Sequence, residues 1–164
     1  MTRALALVLT LLLCGCGLRP LYSGGSGGAV ATSLSTIRVA PIPERGGWLV
    51  RNALVDHLGG EPSAATYRLD VQLDDNISGL GIRGDSAITR ERRVLRARYR
   101  LIDSTTGEVV LDATASADAG IDVVSSEYAT IAAEQSAQER LATQVADQIV
   151  ARLGLFMSRR PAQP

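Results

Sequence analysis

The sequence predicts an α+β domain: a four-stranded, largely antiparallel or mixed sheet with two helices packed on one face. Three observations carry this. Segments near 67–75 and 89–102 alternate apolar and charged residues with period two, as half-buried strands do. Two more short β-like segments accompany them, and turn residues separate the last pair. A closing segment near 126–153 carries its apolar residues at helical spacing instead.

The N-terminus reads as an export signal. Arg3 gives a positive start, and Ala4 to Leu13 is apolar apart from Thr10. That run is roughly 10 residues, the length of a signal-peptide core and half of what a membrane-spanning helix needs. It ends in Leu13-Cys14-Gly15-Cys16, with a branched apolar residue three positions before Cys16 and a small residue directly before it. This is the pattern for lipoprotein cleavage, so residues 1–15 are expected to be removed and Cys16 to be acylated. Cysteine 14 would be lost and Cys16 consumed, which leaves no thiol for a disulfide, a redox function or a metal site. Two or more acyl chains at one residue give a stable membrane anchor. Gly17 follows the cysteine, which favours the outer membrane, periplasmic face.

Residues 16–35 read as lipid anchor and tether, because Ser23-Gly24-Gly25-Ser26-Gly27-Gly28 cannot bury a core. A single domain is expected over 36–156, with a disordered tail at 157–164. Within it, Thr36 to Ile42 reads as the first strand, closed by Pro41 and Pro43. Trp48 to Leu58 reads as a helix with Leu49, Val50, Ala53, Leu54, His57 and Leu58 on one face, stopped by Gly59-Gly60.

The next strand spans Tyr67 to Asp75, with Tyr67, Leu69, Val71 and Leu73 inward. Asn76 to Asp85 is either a long flexible hairpin tip or a bulged extension of that strand. Thr89 to Ile102 turns Leu95, Ala97, Tyr99 and Leu101 inward. After a turn at Asp103 to Gly107, Glu108 to Ser116 forms the last strand. One polar face on each strand predicts a sheet covered on one side only. The long helix from Ser126 to Leu153 should bury Ile131, Leu141, Val145, Ile149, Leu153 and Phe156. It is longer than nine-residue strands, so its first half, with Gln135 and Gln138, is expected to overhang the core.

Charges balance, with 17 basic and 17 acidic residues, so no bulk field points to nucleic acid. Every basic residue is arginine. His57 is the only histidine and stands on an apolar helix face, the place of a core or rim histidine rather than a ligand. The serines lack a nucleophile frame and the glycines of 79–84 lack phosphate-loop spacing. No catalytic residue, metal site or cofactor is therefore assigned, and the chain is not expected to be an enzyme.

What stands out is one arginine-rich strand. Arg90, Arg92, Arg96, Arg98 and Arg100 share a face, while Arg93 lies on the other. Asp70, Asp74 and Asp112 on the neighbouring strands offer cross-strand partners. Arginines left over would suit phosphates or carboxylates, which makes the five candidates for binding an anionic glycolipid. Leu80, Ile82, Gln135 and Gln138 are the candidate contacts for a protein partner.

The chain resembles the LPS-assembly lipoprotein family, LptE, of the alphaproteobacterial type. The resemblance lies in Cys16-Gly17-Leu18-Arg19-Pro20-Leu21-Tyr22, in Asn52-Ala53-Leu54 and in Tyr67-Arg68-Leu69. It continues through Tyr128-Ala129-Thr130, Ala133-Glu134, Arg140-Leu141-Ala142 and Ile149-Val150-Ala151-Arg152-Leu153, nearly the whole mature chain. It implies two helices on a four-stranded sheet and an outer-membrane lipoprotein that plugs the LptD barrel and helps lipopolysaccharide reach the surface. It also implies lipopolysaccharide binding through basic residues, without assigning which. A different role, auxiliary lipoprotein of a lipid-transport ABC system, would suit a small acylated α+β module as well.

Overall fold

The computed structural model describes residues 28–82 and 88–159, with backbone alone at 81–82 and 88–89. The expected signal peptide, Cys16 and most of the expected tether lie outside these residues. The elements are α1 (Ala29–Leu34), β1 (Ile37–Val39), α2 (Glu44–Leu58), β2 (Tyr67–Ile82), β3 (Ile88–Asp103), β4 (Val109–Asp122) and α3 (Glu127–Arg159). The strands lie side by side in sequence order in one open sheet. β1 pairs parallel to β2, and the other two pairings are antiparallel. The fold is the expected α+β one, with a mixed sheet and with α1 as a third, short helix.

One core joins the sheet to α2 and α3. Leu69, Val71, Leu95, Ala97, Tyr99 and Leu101 meet Val50 and Leu54 from α2 and Leu141, Val145, Ile149 and Leu153 from α3. The period-two and helical spacings therefore point to the same interior, and the opposite face of the sheet is left uncovered.

The folded body reaches past both boundaries read from the sequence. Leu34, in α1, is buried in the core, so helix begins inside the stretch read as tether. At the other end Met157 is also buried, within α3.

Helix α2 starts four residues before Trp48 because Gly46 and Gly47 are helical. Their low helix propensity is overridden by contact: a Cβ on Gly47 would lie 2.7 Å from the Ile42 carbonyl oxygen, and one on Gly46 3.2 Å from the Gln138 amide. At its far end Gly59 takes the left-handed conformation, and the amides of Gly59 and Gly60 bond the Asp56 and Val55 carbonyls.

The glycine-rich segment after Asp75 is strand as far as Ile82, and β4 runs six residues past Ser116. β2 and β3 are each 16 residues long, about 53 Å. α3, with 33 residues, is about 50 Å long, so it matches the sheet in length rather than overhanging it. Its first turns nevertheless stand outside the core: Tyr128 is 83% exposed, and Ile131 is exposed despite its place in the predicted stripe. Ser126 caps the helix by accepting the Ala129 amide at 3.4 Å.

Candidate functional site

The uncovered face of the sheet is a lattice of guanidinium and carboxylate groups. Even-numbered residues of β3 point there because its odd-numbered Leu95, Ala97, Tyr99 and Leu101 fill the core. Arg90 donates from Nε to Asp122 at 3.0 Å, directly across from it in register. Arg92 and Arg98 reach diagonally instead. Arg92 Nε bonds Asp118 at 3.1 Å, and Arg98 bonds both oxygens of Asp112, at 3.2 Å from Nε and 2.8 Å from Nη2.

Those diagonals decide which arginines remain. Register sets Arg100 opposite Asp70 and Asp112, but Arg68 binds Asp70 and Arg98 binds Asp112. Arg96 stands opposite Asp74 and Ser116, and no ion pair forms with either. Among the described residues, Arg96 and Arg100 are thus the two members of the expected set without an ion-pair partner. Of the three acids expected to neutralise the strand, only Asp112 does so. Asp118 and Asp122 take the rest, acids that an end at Ser116 had left outside the sheet.

Charges in the lattice reinforce each other. The hydrogen bonds and charge of Asp112 raise the pKa of the Arg98 guanidinium. The bond from Arg98, then the charges of Arg98 and Arg100, hold the Asp112 carboxyl below its ordinary value. Arg100 therefore contributes field at Asp112 without a bond to it.

Arg93 behaves differently. It faces α3, binds both oxygens of Asp75 at 2.8 and 2.6 Å, and donates from Nη1 to the Glu134 carbonyl at 3.1 Å. Gln138 adds a bond to Asp75 at 3.2 Å. The amide of Gln138 is thus engaged within the fold, while Gln135 is exposed. Leu80 is exposed on β2, and Ile82 pairs with Ile88 through its backbone.

Beside this node lies a cleft of about 480 Å³ between the first turn of α2 and the β2 edge, lined by Ile42, Glu44, Arg45, Leu73, Ile77 and Arg93 among others. Composition gave no sign of it, since it depends on β1 ending at Val39 and the chain turning away at Pro41. His57 lies away from the cleft, exposed in the last turn of α2, 3.2 Å from Asp147 of α3. No cluster suited to a metal ion exists among the described residues. No helix among them is long and apolar enough to cross a membrane.

Comparison with known proteins gives this geometry a family. A model of the lipopolysaccharide-assembly family LptE matches residues 34–153. Among solved structures, a lipoprotein from Caulobacter crescentus is 27% identical with a TM-score of 0.67, over 80% of this chain and 97% of that one. A minor lipoprotein from Acinetobacter baumannii shares the fold at 18% identity and a TM-score of 0.61, over 79% of this chain and 98% of that one. Rare lipoprotein B from Shewanella oneidensis does so at 11% and 0.59, over 74% and 94%. No curated protein sequence matches the chain. With the match spanning nearly all of the sheet and both long helices, the chain belongs to the LptE lipopolysaccharide-assembly family.

Proposed function

We propose that this chain is an outer-membrane lipoprotein, acylated at Cys16 on the periplasmic face, that plugs an LptD-type barrel and aids lipopolysaccharide transport to the surface. The observation that carries the reading is the open arginine face within a lipopolysaccharide-assembly fold. Arg96 and Arg100 lie on it without ion-pair partners among the described residues, while Arg90, Arg92 and Arg98 are held in place by aspartates. Guanidinium forks donate two bonds to a phosphate, so a lipid bearing phosphates would find unengaged donors at Arg96 and Arg100. The paired arginines are charge-compensated by their aspartates, but Arg90 and Arg92 bond through Nε alone and keep their remaining N–H groups as donors.

Other features support the plug. A body about 50 Å long exceeds the roughly 30 Å hydrocarbon core of a bilayer, so inside a barrel it would extend through the membrane level. Its role would be structural and steering. The N-terminal segment would supply a membrane anchor and tether ahead of α1.

Two measurements test this. Affinity purification in mild detergent should bring down a large outer-membrane barrel; recovery of inner-membrane transporter components instead would overturn the reading. Arg96→Glu with Arg100→Glu should lower lipopolysaccharide binding about tenfold or more, because each charge-assisted hydrogen bond is worth about 1.5–3 kcal/mol. Unchanged binding in the folded double variant would remove the arginine face from the function.

A further inference from the structure

The two edges of the sheet are finished differently. On β4, Gln148 of α3 closes the edge at Ser116, its Oε1 accepting the Ser116 amide at 3.3 Å and its Nε2 donating to the carbonyl at 3.1 Å. Asp112, Asp118 and Asp122 add charge along that strand, which discourages pairing with another chain. On β2 no side chain closes the edge in the manner of Gln148 from Val71 to Ile77 among the described residues.

Its partner β1 covers only Tyr67 to Leu69. The last bond on that side runs from the Ala40 amide to the Leu69 carbonyl at 3.0 Å. Pro41 and Pro43 then take the chain out of the track. Tyr67 donates, and Leu69 accepts, toward β1. Because a strand alternates the side to which its amides and carbonyls point, Val71, Leu73, Asp75 and Ile77 aim theirs the same way. No strand pairs with them there among the described residues. Side chains on the uncovered sheet face beside this stretch, Gln72, Asn76 and Ser78, are uncharged apart from Asp74.

We infer that the β2 edge from Val71 to Ile77 receives an extended segment of the outer-membrane barrel partner, which adds to the sheet as a fifth strand. The inference rests on the barrel reading above and names where contact is made. Alternating free donors and acceptors call for another extended backbone, not for a lipid or an ion. The cleft supplies room for it, with Ile42, Leu73 and Ile77 to meet apolar side chains and Arg45 at the rim to meet an acidic one. A second copy offering its own β2 edge would bring its own Pro43–Gly47 wall into the same space.

The test begins with a photo-crosslinking residue replacing Ile77 in the full-length lipoprotein in cells, with the adduct mapped by mass spectrometry. An adduct to a segment of the barrel is expected. An adduct to residues 16–27 of this chain, to a second copy or to lipid, or no adduct, overturns the inference. Residue-resolved hydrogen exchange then compares the isolated lipoprotein with the co-purified complex. The amides of Leu73, Asp75 and Ile77 should slow by about tenfold or more in the complex, and Ile77→Lys should abolish the slowing. Unchanged exchange in a complex that contains the barrel sinks the edge inference alone. Absence of the barrel sinks the functional reading and this inference with it.

Discussion

Arg93 and Asp75 form a two-bonded ion pair on the covered face of the sheet, with side chains only 11% and 21% exposed, and α3 closes over it through Glu134 and Gln138. The pair joins β2, β3 and α3 where the apolar core gives way to the long extension of the hairpin. An arginine placed there needs its partner, since a guanidinium held away from water without one is costly.

Removing either half should therefore destabilise the fold. Asp75→Ala or Arg93→Ala is expected to cost about 2–4 kcal/mol, each leaving the other group partly buried and unpaired. The double substitution Asp75→Leu with Arg93→Met should cost less than the sum of the two alanine changes. Urea unfolding of the single and double variants measures both quantities.

Gly47 provides a steric test of the α2 start. Alanine is the better helix former by about 1 kcal/mol, yet its Cβ would stand 2.7 Å from both the carbonyl oxygen and the Cγ2 of Ile42. Backbone would have to move, so Gly47→Ala should destabilise by about 1–3 kcal/mol. Gly46→Ala meets only the end of the Gln138 side chain at 3.2 Å and should cost less. Denaturant midpoints for the pair check the order.

Acid should loosen the open face through Asp112. Its folded pKa lies below the ordinary carboxylate value because of Arg98 first and Arg100 after it. Its contribution is therefore present above the unfolded value of about 3.9 and is lost as pH falls through the lower folded value. The stability gap between the natural protein and Asp112→Asn should be constant above about pH 5 and narrow below about pH 4. Urea midpoints across that range show it.

Alkali should act through Tyr99. Burial pushes its phenol above the usual value of 10.0, with the charge of Arg152 opposing. The unfolded chain then loses this proton first, so stability is unaffected well below about pH 10 and falls as pH rises past it. Tyr99→Phe should flatten that fall. Absorbance titration of the phenolate and thermal unfolding over the same range measure the two sides of the effect.

Legibility varied with the range of the interaction. The alternation of Tyr67 to Leu73 and of Leu95 to Leu101 is a local pattern, and it placed the right residues inward. The helix stop at Gly59 and the turn at Asp103, whose Oδ1 accepts the Thr105 and Thr106 amides, depend on neighbouring residues and were equally visible. At Ile77 and Gly79 the sequence left hairpin tip and strand extension both open, because glycine lowers strand propensity, and the long facing strand decides for the extension. The arginine face was visible as a row of even-numbered residues. Which arginines are free was hidden, since that depends on β4 reaching Asp118 and Asp122.

By itself the sequence determined the class of fold, the inward residues of the two long strands β2 and β3, the one-sided cover of the sheet and the charged strand on its open face. All of these follow from spacing along the chain and from the rule that apolar surface leaves water. Val109, read as inward on β4, is exposed because the register shifts at Leu101 and Ile102. Tertiary structure decided the length of the hairpin, the turn of Arg93 and Gln138 onto Asp75, the freedom of Arg96 and Arg100, and the uncovered stretch of β2. Each of these is a contest between partners distant in sequence, and only the register of the assembled sheet says which partner is within reach.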